Sequence, residues 1–389
     1  MTRRRNSWDY CAPGRYMVTL TLADRSREWL GKLAGKPAST MAAAGARVTL
    51  TELGHIVDEK WHEIAAKWPG VEVEEFVIMP DHLHGILHIA RRQGHPLGQI
   101  VGSFKARSTS AARKLAGRLA GKPASTMAAE RPIVPASLLA GPSGSSLWTP
   151  GLTDSILYSA ERRRRAVAYI ADNPRRLAEK RANPGLFTIR RDITARIPLG
   201  LGGAEMAAHF AAIGNHQLLA ALDFHQVQCS RRHFVYSKDR WGKPLKDASP
   251  AIETEDFRRI CELALAMAEG GAVLVDPCVS QGEREIARRA FTAGAKMIVL
   301  RNRGFAPLYK PEGALFDRCA EGRLLMLAPA AWPYATEQKP MTRDDACVLN
   351  RIAQAIAGEG AADIDYRGRT PRFIDEMAQR AVSAGGSPK

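Results

Sequence analysis

A chain of 389 residues with 45% apolar and 25% charged residues is long enough for two domains with separate cores. No apolar run approaches the length of a membrane span, and MTRRRNSWDY has no apolar stretch behind its basic residues, so the sequence predicts neither insertion nor export and a place in the cytoplasm. The net charge of +16 is uneven: residues 1–190 hold 29 Lys and Arg against 16 Asp and Glu, the remainder 27 against 24. The basic half suits a polyanion such as nucleic acid, although a solvated Arg-rich surface would show the same excess.

In chain order, GRYMVTLTLADR, rich in β-branched and apolar residues, predicts a first strand. LAGKPASTMAA follows at 33–43 and recurs letter for letter at 119–129. Two identical, isolated copies rich in Ala, Gly, Pro, Ser and Thr are unlike the diverged, evenly spaced units of a repeat protein. Nor is GKPAST a phosphate-binding loop, since no hydroxyl residue follows its Lys. Both copies are expected as loop insertions, near 31–45 and 117–146. ARVTL predicts another strand, and TELGHIVDEKWHEIAAKWPG a helix capped by Thr51, with Leu53, Ile56, Val57, Trp61 and Ile64 as its apolar stripe and Pro69-Gly70 as its stop.

VEVEEFVIMPDHLHGILHIA predicts two strands joined at Pro80-Asp81, PLGQIVGSFKARSTSAARKLAG a second helix, and SLWTPGLTDSILYS a last strand. The order β-α-β-β-α-β implies an α+β, ferredoxin-like antiparallel sheet with helices on one face. A further helix runs from about Ser159 through AERRRRAVAYIADNPRRLAEK. At ~100° per residue its buried stripe is Val167, Ile170, Pro174 and Leu177, and Tyr169 and Asn173 share a neighbouring shoulder with Arg162, Arg165 and Arg176. Pro174 is expected to kink it.

His82 and His84, two apart on a strand, point to one face and can grip one cation, although a pair of partly buried histidines has the same spacing. His88 shares that face but lies ~13 Å from His84 at strand rise, too far to join them. Tyr169 and Asn173, at i and i+4 on a helix, project a phenol and an amide side by side. Asn173 could then supply an oxygen ligand to an ion held by His82 and His84, with Tyr169 one turn away as nucleophile.

MPDHLHGIL resembles the HUH motif, and SFKA, LWTPGLTDSIL and YIADNP resemble further landmarks of the REP-associated tyrosine transposases, relatives of the single-tyrosine insertion-sequence transposases. The resemblance covers about residues 10–187, with the motifs in the expected order. It implies His82, His84 and Asn173 as ligands of Mg²⁺ or Mn²⁺, Tyr169 as nucleophile on a catalytic helix, and single-stranded DNA with hairpins as partner. The reaction it implies is cleavage and rejoining of DNA at repeated palindromes through a 5′-phosphotyrosine. A free phenol has a pKa near ~10, so a cation and nearby arginines would help to form the nucleophile. Arg3, Arg4, Arg5, Lys105, Arg162, Arg165 and Arg176 are the candidate phosphate contacts. The family's connectors at both repeat sites are shorter, so the hairpin after the first strand and the loop before the last are altered in this chain. Two rival readings are a DNA-binding protein that keeps the fold without turnover and an HUH replication initiator or relaxase. The sequence leaves open a monomer or a homodimer, in which Tyr169 would serve its own histidines or those of a second copy.

The predicted division is 1–190 and 191–389. In the second part GAVLVDPCVSQGEREIARRAFTAGAKMIVLRNRGF reads strand, loop, helix, strand, and GRLLMLAP adds a strand, which implies an α/β domain with a parallel, Rossmann-like sheet. It weakly resembles the DNA-processing-protein and nucleotide-binding Rossmann-like group. SQGE at a helix start could bind an anion through backbone N–H groups, and a structural role is as well supported. The six cysteines include no C-x-x-C pair and are expected as buried thiols rather than disulfides or zinc ligands.

Overall fold

The computed structural model describes residues 7–35, 45–120, 134–135, 146–198, 205–229, 233–235, 252–332, 334–335 and 340–358. Arg3, Arg4 and Arg5 lie outside these, as do most residues of both repeat copies. The chain forms two compact units, 1–182 and 183–389.

The first unit is built on a four-stranded antiparallel sheet of β1 (Gly14–Thr21), β4 (Val71–Met79), β5 (His82–Ile89) and β6 (Thr153–Ile156), in the order β4-β5-β1-β6. A separate hairpin of β2 (Gly31–Ala34) and β3 (Arg47–Leu50) stands between β1 and helix α1 (Glu52–Lys67). Alternation along the strands divides their side chains between two faces. Tyr16, Val18, Leu20, Leu83, Leu87 and Ile89 are buried with Leu53, Val57, Trp61 and Ile64 of α1 and Ile100, Phe104 and Leu115 of α2 (Leu97–Ala120). The Trp61 ring meets Phe104 edge-on at 5.1 Å.

Thr51 caps α1 as the sequence predicts, its hydroxyl accepting from Gly54 N at 3.1 Å. Gly54 is required by close approach, because a Cβ there would lie 1.9 Å from the Leu30 carbonyl oxygen. Gly85, directly after His84, plays the same part on the sheet: a Cβ would stand 2.5 Å from the Trp61 ring.

The predicted last strand shortens to β6 because Pro150-Gly151 interrupts it, with Gly151 at φ +74. Trp148 ahead of that turn is buried, its indole donating to Ser108 Oγ at 2.8 Å. The first repeat copy does not lie wholly in a loop: Leu33 and Ala34 pair with Val48 and Arg47 in the β2–β3 hairpin. In the second copy the same two residues, Leu119 and Ala120, end α2. Identical letters therefore adopt strand in one place and helix in the other, set by neighbouring pairing rather than propensity.

Helix α3 (Ala160–Ala182) lies on the opposite face of the sheet, so the helices are not all on one side. Ala166 and Ile170 pack with Ile86, flanked by Met17, Val77, Leu157 and Val167. The helix continues through Pro174. Its buried residues are Ala166, Ile170, Asn173, Pro174, Arg176, Ala178 and Glu179, which turns Asn173 and Arg176 inward from the predicted shoulder and leaves Leu177 half-buried.

The second unit holds a six-stranded sheet ordered β7-β8-β14-β13-β12-β9, from β7 (Arg190–Pro198), β8 (Glu205–Gly214), β9 (Phe224–Gln226), β12 (Val273–Asp276), β13 (Met297–Leu300) and β14 (Leu324–Pro329). β10 (Phe234–Val235) and β11 (Ile252–Glu253) form a small ladder of their own. β9, β12, β13 and β14 run parallel, but β8 pairs antiparallel with β14 and β7 antiparallel with β8. The sheet is therefore mixed, where the sequence predicts a parallel one. Helices α4 (Glu255–Glu269) and α5 (Gln281–Thr292) pack on the side of Leu274 and Met297. The short α6 (Ala314–Ala320) joins β13 to β14, and α7 (Arg343–Ala357) covers Val273, Val275 and Ile298 on the other side.

The segment SQGE, expected as an anion loop, forms a capping box at the start of α5. Glu283 Oε2 accepts from Val279 N at 2.7 Å and Ser280 N at 2.9 Å, while Ser280 Oγ accepts from Glu283 N at 3.0 Å. This capping box takes up the Ser280 and Glu283 N–H donors of the segment. Among the described residues the six cysteines form no disulfide, and no helix is long and apolar enough to cross a membrane.

Candidate active site

His82 opens β5 and His84 follows two residues later, so both imidazoles rise from the face that carries α3. Their ring centroids are 4.7 Å apart. Each ring is fixed through Nδ1: His84 to Thr19 Oγ1 at 2.8 Å, and His82 to Asp81 Oδ1 at 2.6 Å. Thr19 is directly opposite His84 in the β1–β5 register. Asp81 also accepts from Arg25 Nε at 2.6 Å. Burial would push the Asp81 carboxyl up, but the hydrogen bonds and charges of His82 and Arg25 hold it well below the usual carboxylate range.

The donor set suits a divalent cation. The Asp81 carboxylate can only accept and so selects the Nδ1–H tautomer of His82, while the Thr19 hydroxyl holds the His84 ring at Nδ1; in both rings Nε2 is the nitrogen left for a ligand. Asn173 offers an amide oxygen; its Nδ2 donates to the Tyr169 carbonyl at 2.6 Å, so Oδ1 is the atom available to a hard cation.

Tyr169 on α3 is 38% exposed, and its ring meets His84 edge-on, centroids 5.3 Å apart at 70°. Arg176, one turn further than Asn173 and buried, places its guanidinium carbon 5.6 Å from the Tyr169 ring centroid and 3.9 Å separates its Nη1 from Asp172. The structure thus gathers His82, His84 and Tyr169 and sets Asn173 within the same helix turn.

The candidate phosphate contacts divide differently. Arg162 and Arg165 are exposed on α3, Arg165 bonded to Glu161 at 2.7 Å. Arg176 is buried rather than exposed. Lys105 donates to the carbonyls of Thr149 (2.8 Å) and Gly151, and burial lowers its pKa. Its half-buried ammonium ties α2 to the turn before β6.

Sequence reasoning missed Thr19, whose role depends on strand register, and Asp81, which it passed over as a turn residue. It also missed a network on the same sheet face. Glu72, Glu74 and His88 bring their ligand atoms within 4.8 Å of one another. His88 Nδ1 meets Glu72 at 2.9 Å, while Glu74 is bonded to Arg15 at 2.8 Å and to Arg163 at 3.1 Å. Burial opposes ionisation of Glu74, yet the two guanidiniums hold its pKa below the ordinary value. Those cations already neutralise the cluster, so its chemistry is that of an ion-pair clamp between β4, β1 and α3 more than of a cation site.

No family model matches the chain. An uncharacterised protein of Haemophilus influenzae is 35% identical over 88 residues, which covers 18% of this chain and 49% of that protein. The chain thus spans about half the length of the curated relative it matches. Among solved structures, a REP-associated tyrosine transposase bound to a REP hairpin is similar over 45% of this chain and 73% of its own, with 16% identity and a TM-score of 0.28. A provisionally named transposase of Deinococcus radiodurans R1 is similar over 44% of this chain and 97% of its own, with 16% identity and a TM-score of 0.22. At these scores neither likeness bears on what this chain does.

Proposed function

We propose that the chain is a metal-dependent single-tyrosine DNA transposase, cleaving and rejoining single-stranded DNA at palindromic hairpins through a 5′-phosphotyrosine. The observation that carries the reading is the placement of the Tyr169 ring against His84, at 5.3 Å, with His82 a further 4.7 Å along. The motif resemblance, residue by residue, falls on these same side chains.

Thr19 and Asp81 hold the two imidazoles in the orientation that binds a cation through Nε2. His82, His84 and Asn173 would hold Mg²⁺ or Mn²⁺, which when bound withdraws charge from a scissile phosphate. Tyr169 supplies the attacking oxygen: its O–P bond forms, the P–O3′ bond breaks, the phenolic proton is released and the departing 3′ oxygen takes one up. Arg176 stacks on the ring and restrains it. Rejoining is the same exchange in reverse, with a 3′-hydroxyl displacing Tyr169. The bond energy is kept in the phosphotyrosine, so no nucleotide cofactor is required.

The test is incubation of the full chain with single-stranded oligonucleotides from the palindromes flanking its gene, in Mn²⁺. A covalent DNA adduct mapped to Tyr169 by mass spectrometry is expected. Tight hairpin binding with no adduct would instead make the protein a DNA-binding module, and an adduct on another residue would overturn the assignment.

A further inference from the structure

The residue before the first cap of α3 is the most exposed aromatic among the described residues. Tyr158 is 63% exposed and belongs to no core cluster. Its position is nevertheless fixed. Leu157 N donates to the Arg15 carbonyl at 2.9 Å, and the Ser159 hydroxyl accepts from Arg162 N at 3.2 Å. The guanidinium carbon of Arg162 lies 4.2 Å over the Tyr158 ring centroid. An open aromatic face has no folding benefit to account for it, whereas a cation covering one side of the ring restrains it and leaves the other to solvent.

Tyr158, Arg162, Arg165 and Tyr169 follow one another at intervals of four, three and four residues. That spacing sets them along one side of α3 and the corner leading into it. Arg162 and Tyr169 are seven residues apart, roughly 10 Å along the axis. Four arginines and one glutamate lie between residues 158 and 169; Arg163 pairs with Glu74, and the exposed Arg164 and Arg165 share Glu161, so the stretch keeps a net positive charge. The chemistry is that of a single-stranded nucleic-acid track: cations for phosphates beside a flat face for a base. An acidic peptide would use the arginines and has no group for the ring, and a duplex keeps its bases stacked on one another.

We infer that Tyr158 and Arg162 form a stacking platform for an unpaired base of single-stranded DNA, a few nucleotides along the strand from the phosphate presented to Tyr169. The inference rests on the function proposed above for α3. Stacking is tolerant of sequence because every base has a π face. The platform therefore seats the strand, and recognition of the hairpin falls to other residues.

The experiment measures binding of a labelled oligo-dT strand to the full chain and, on the same samples, adduct formation with the palindrome oligonucleotide. Tyr158→Ala is expected to weaken oligo-dT binding roughly five- to a hundredfold, with an unchanged melting temperature and an unchanged dependence on salt. Tyr158→Phe keeps the ring and should bind within about twofold of the parent, since stacking needs no hydroxyl. Placing one abasic nucleotide at successive positions should weaken the parent at one or two of them and cost Tyr158→Ala nothing further there. Parent-like binding by Tyr158→Ala, a loss in Tyr158→Phe as large as in Tyr158→Ala, or additive abasic losses would each overturn the platform. So would an oligo-U strand that binds more tightly than oligo-dT with the same dependence on Tyr158, which would make RNA the partner. A Tyr169 adduct with binding indifferent to Tyr158 removes the platform and leaves the transposase; Tyr158-dependent binding without an adduct does the reverse.

Discussion

Tyr169 stands edge-on to His84, their ring centroids 5.3 Å apart, with the phenol half out of the protein surface. Removing its hydroxyl leaves the ring contact and the packing of α3 on Ile86 intact. Tyr169→Phe is therefore expected to abolish the covalent adduct while hairpin binding stays within about fivefold, because one hydroxyl contributes about 1 kcal/mol at most. Gel-resolved adduct and fluorescence anisotropy measure the two separately, and undiminished cleavage by the variant would remove Tyr169 as nucleophile.

Thr19 lies across from His84 in register and bonds its Nδ1 at 2.8 Å. Thr19→Val keeps the strand shape but loses the oxygen that holds the His84 ring at Nδ1. Partners of this kind are worth about 10–100-fold in metal affinity. Mn²⁺ binding followed by calorimetry should weaken by that order, with oligo-dT affinity unchanged. Unaltered Mn²⁺ affinity would mean that His84 is not a ligand through Nε2.

These two residues mark where the sequence was legible and where it was not. His82 and His84 on one face, and Tyr169 one turn before Asn173, follow from local periods of two and 3.6, which need no tertiary information. Thr19 depends on which of β1's residues pairs with His84, a register that packing decides. The rotation of α3 also escaped prediction. The large residues Val167 and Leu177 suggested the buried stripe, but Ala166 allows close approach to Ile86, and the helix settles with Asn173 and Arg176 inward. In the second unit β12, α5, β13 and β14 were visible in the sequence, whereas the antiparallel β8 and β7, the short β9 and the helices α4 and α7 were not read from it.

Lys105 separates a structural ammonium from a phosphate contact. It donates to the carbonyls of Thr149 and Gly151. Lys105→Ala is expected to cost the first unit about 1 kcal/mol, the low end for hydrogen bonds from a charged group because solvent still screens it. That is a fall of about 2–4 °C in melting temperature for a domain of this size. The log-log salt slope of DNA binding should not change. A slope reduced by about 0.7 would instead return Lys105 to the DNA surface.

Glu283 makes the second unit sensitive to pH. Burial and the nearby Asp276 carboxyl push its pKa up to about 7, against hydrogen bonds from Ser280, Val279 and Cys229. Asp276, wholly buried, is raised as well, by the same desolvation. A folded-state pKa above the unfolded one means that the fold binds the proton more tightly. Its stabilisation is complete below the ordinary 4.5 and is lost as pH rises to about 7. The loss is on the order of 3 kcal/mol. Urea denaturation should give a lower midpoint for this unit at pH 8 than at pH 5, and Glu283→Gln should narrow the difference. A parent midpoint that rises over this range would contradict the assignment.

Arg165 tests how the basic half holds DNA. It is 69% exposed at its side chain and shares Glu161 with Arg164, so part of its charge is already balanced in the free protein. Each phosphate neutralised on a single strand contributes a slope near −0.7 to the logarithm of affinity against the logarithm of salt. Arg165→Ala should thus flatten the slope by less than about 0.7, and weaken unrelated sequences equally, because phosphate contacts position a strand without reading its bases. Chelation with EDTA should act on a different step. Under the proposed function His82, His84 and Asn173 would hold the cation at the scissile group, so cleavage should stop while oligo-dT and hairpin binding persist. If chelation abolished binding as well, the cation would be part of the DNA grip; if affinity ignored salt, the arginines of α3 would be a solvated surface and nothing more.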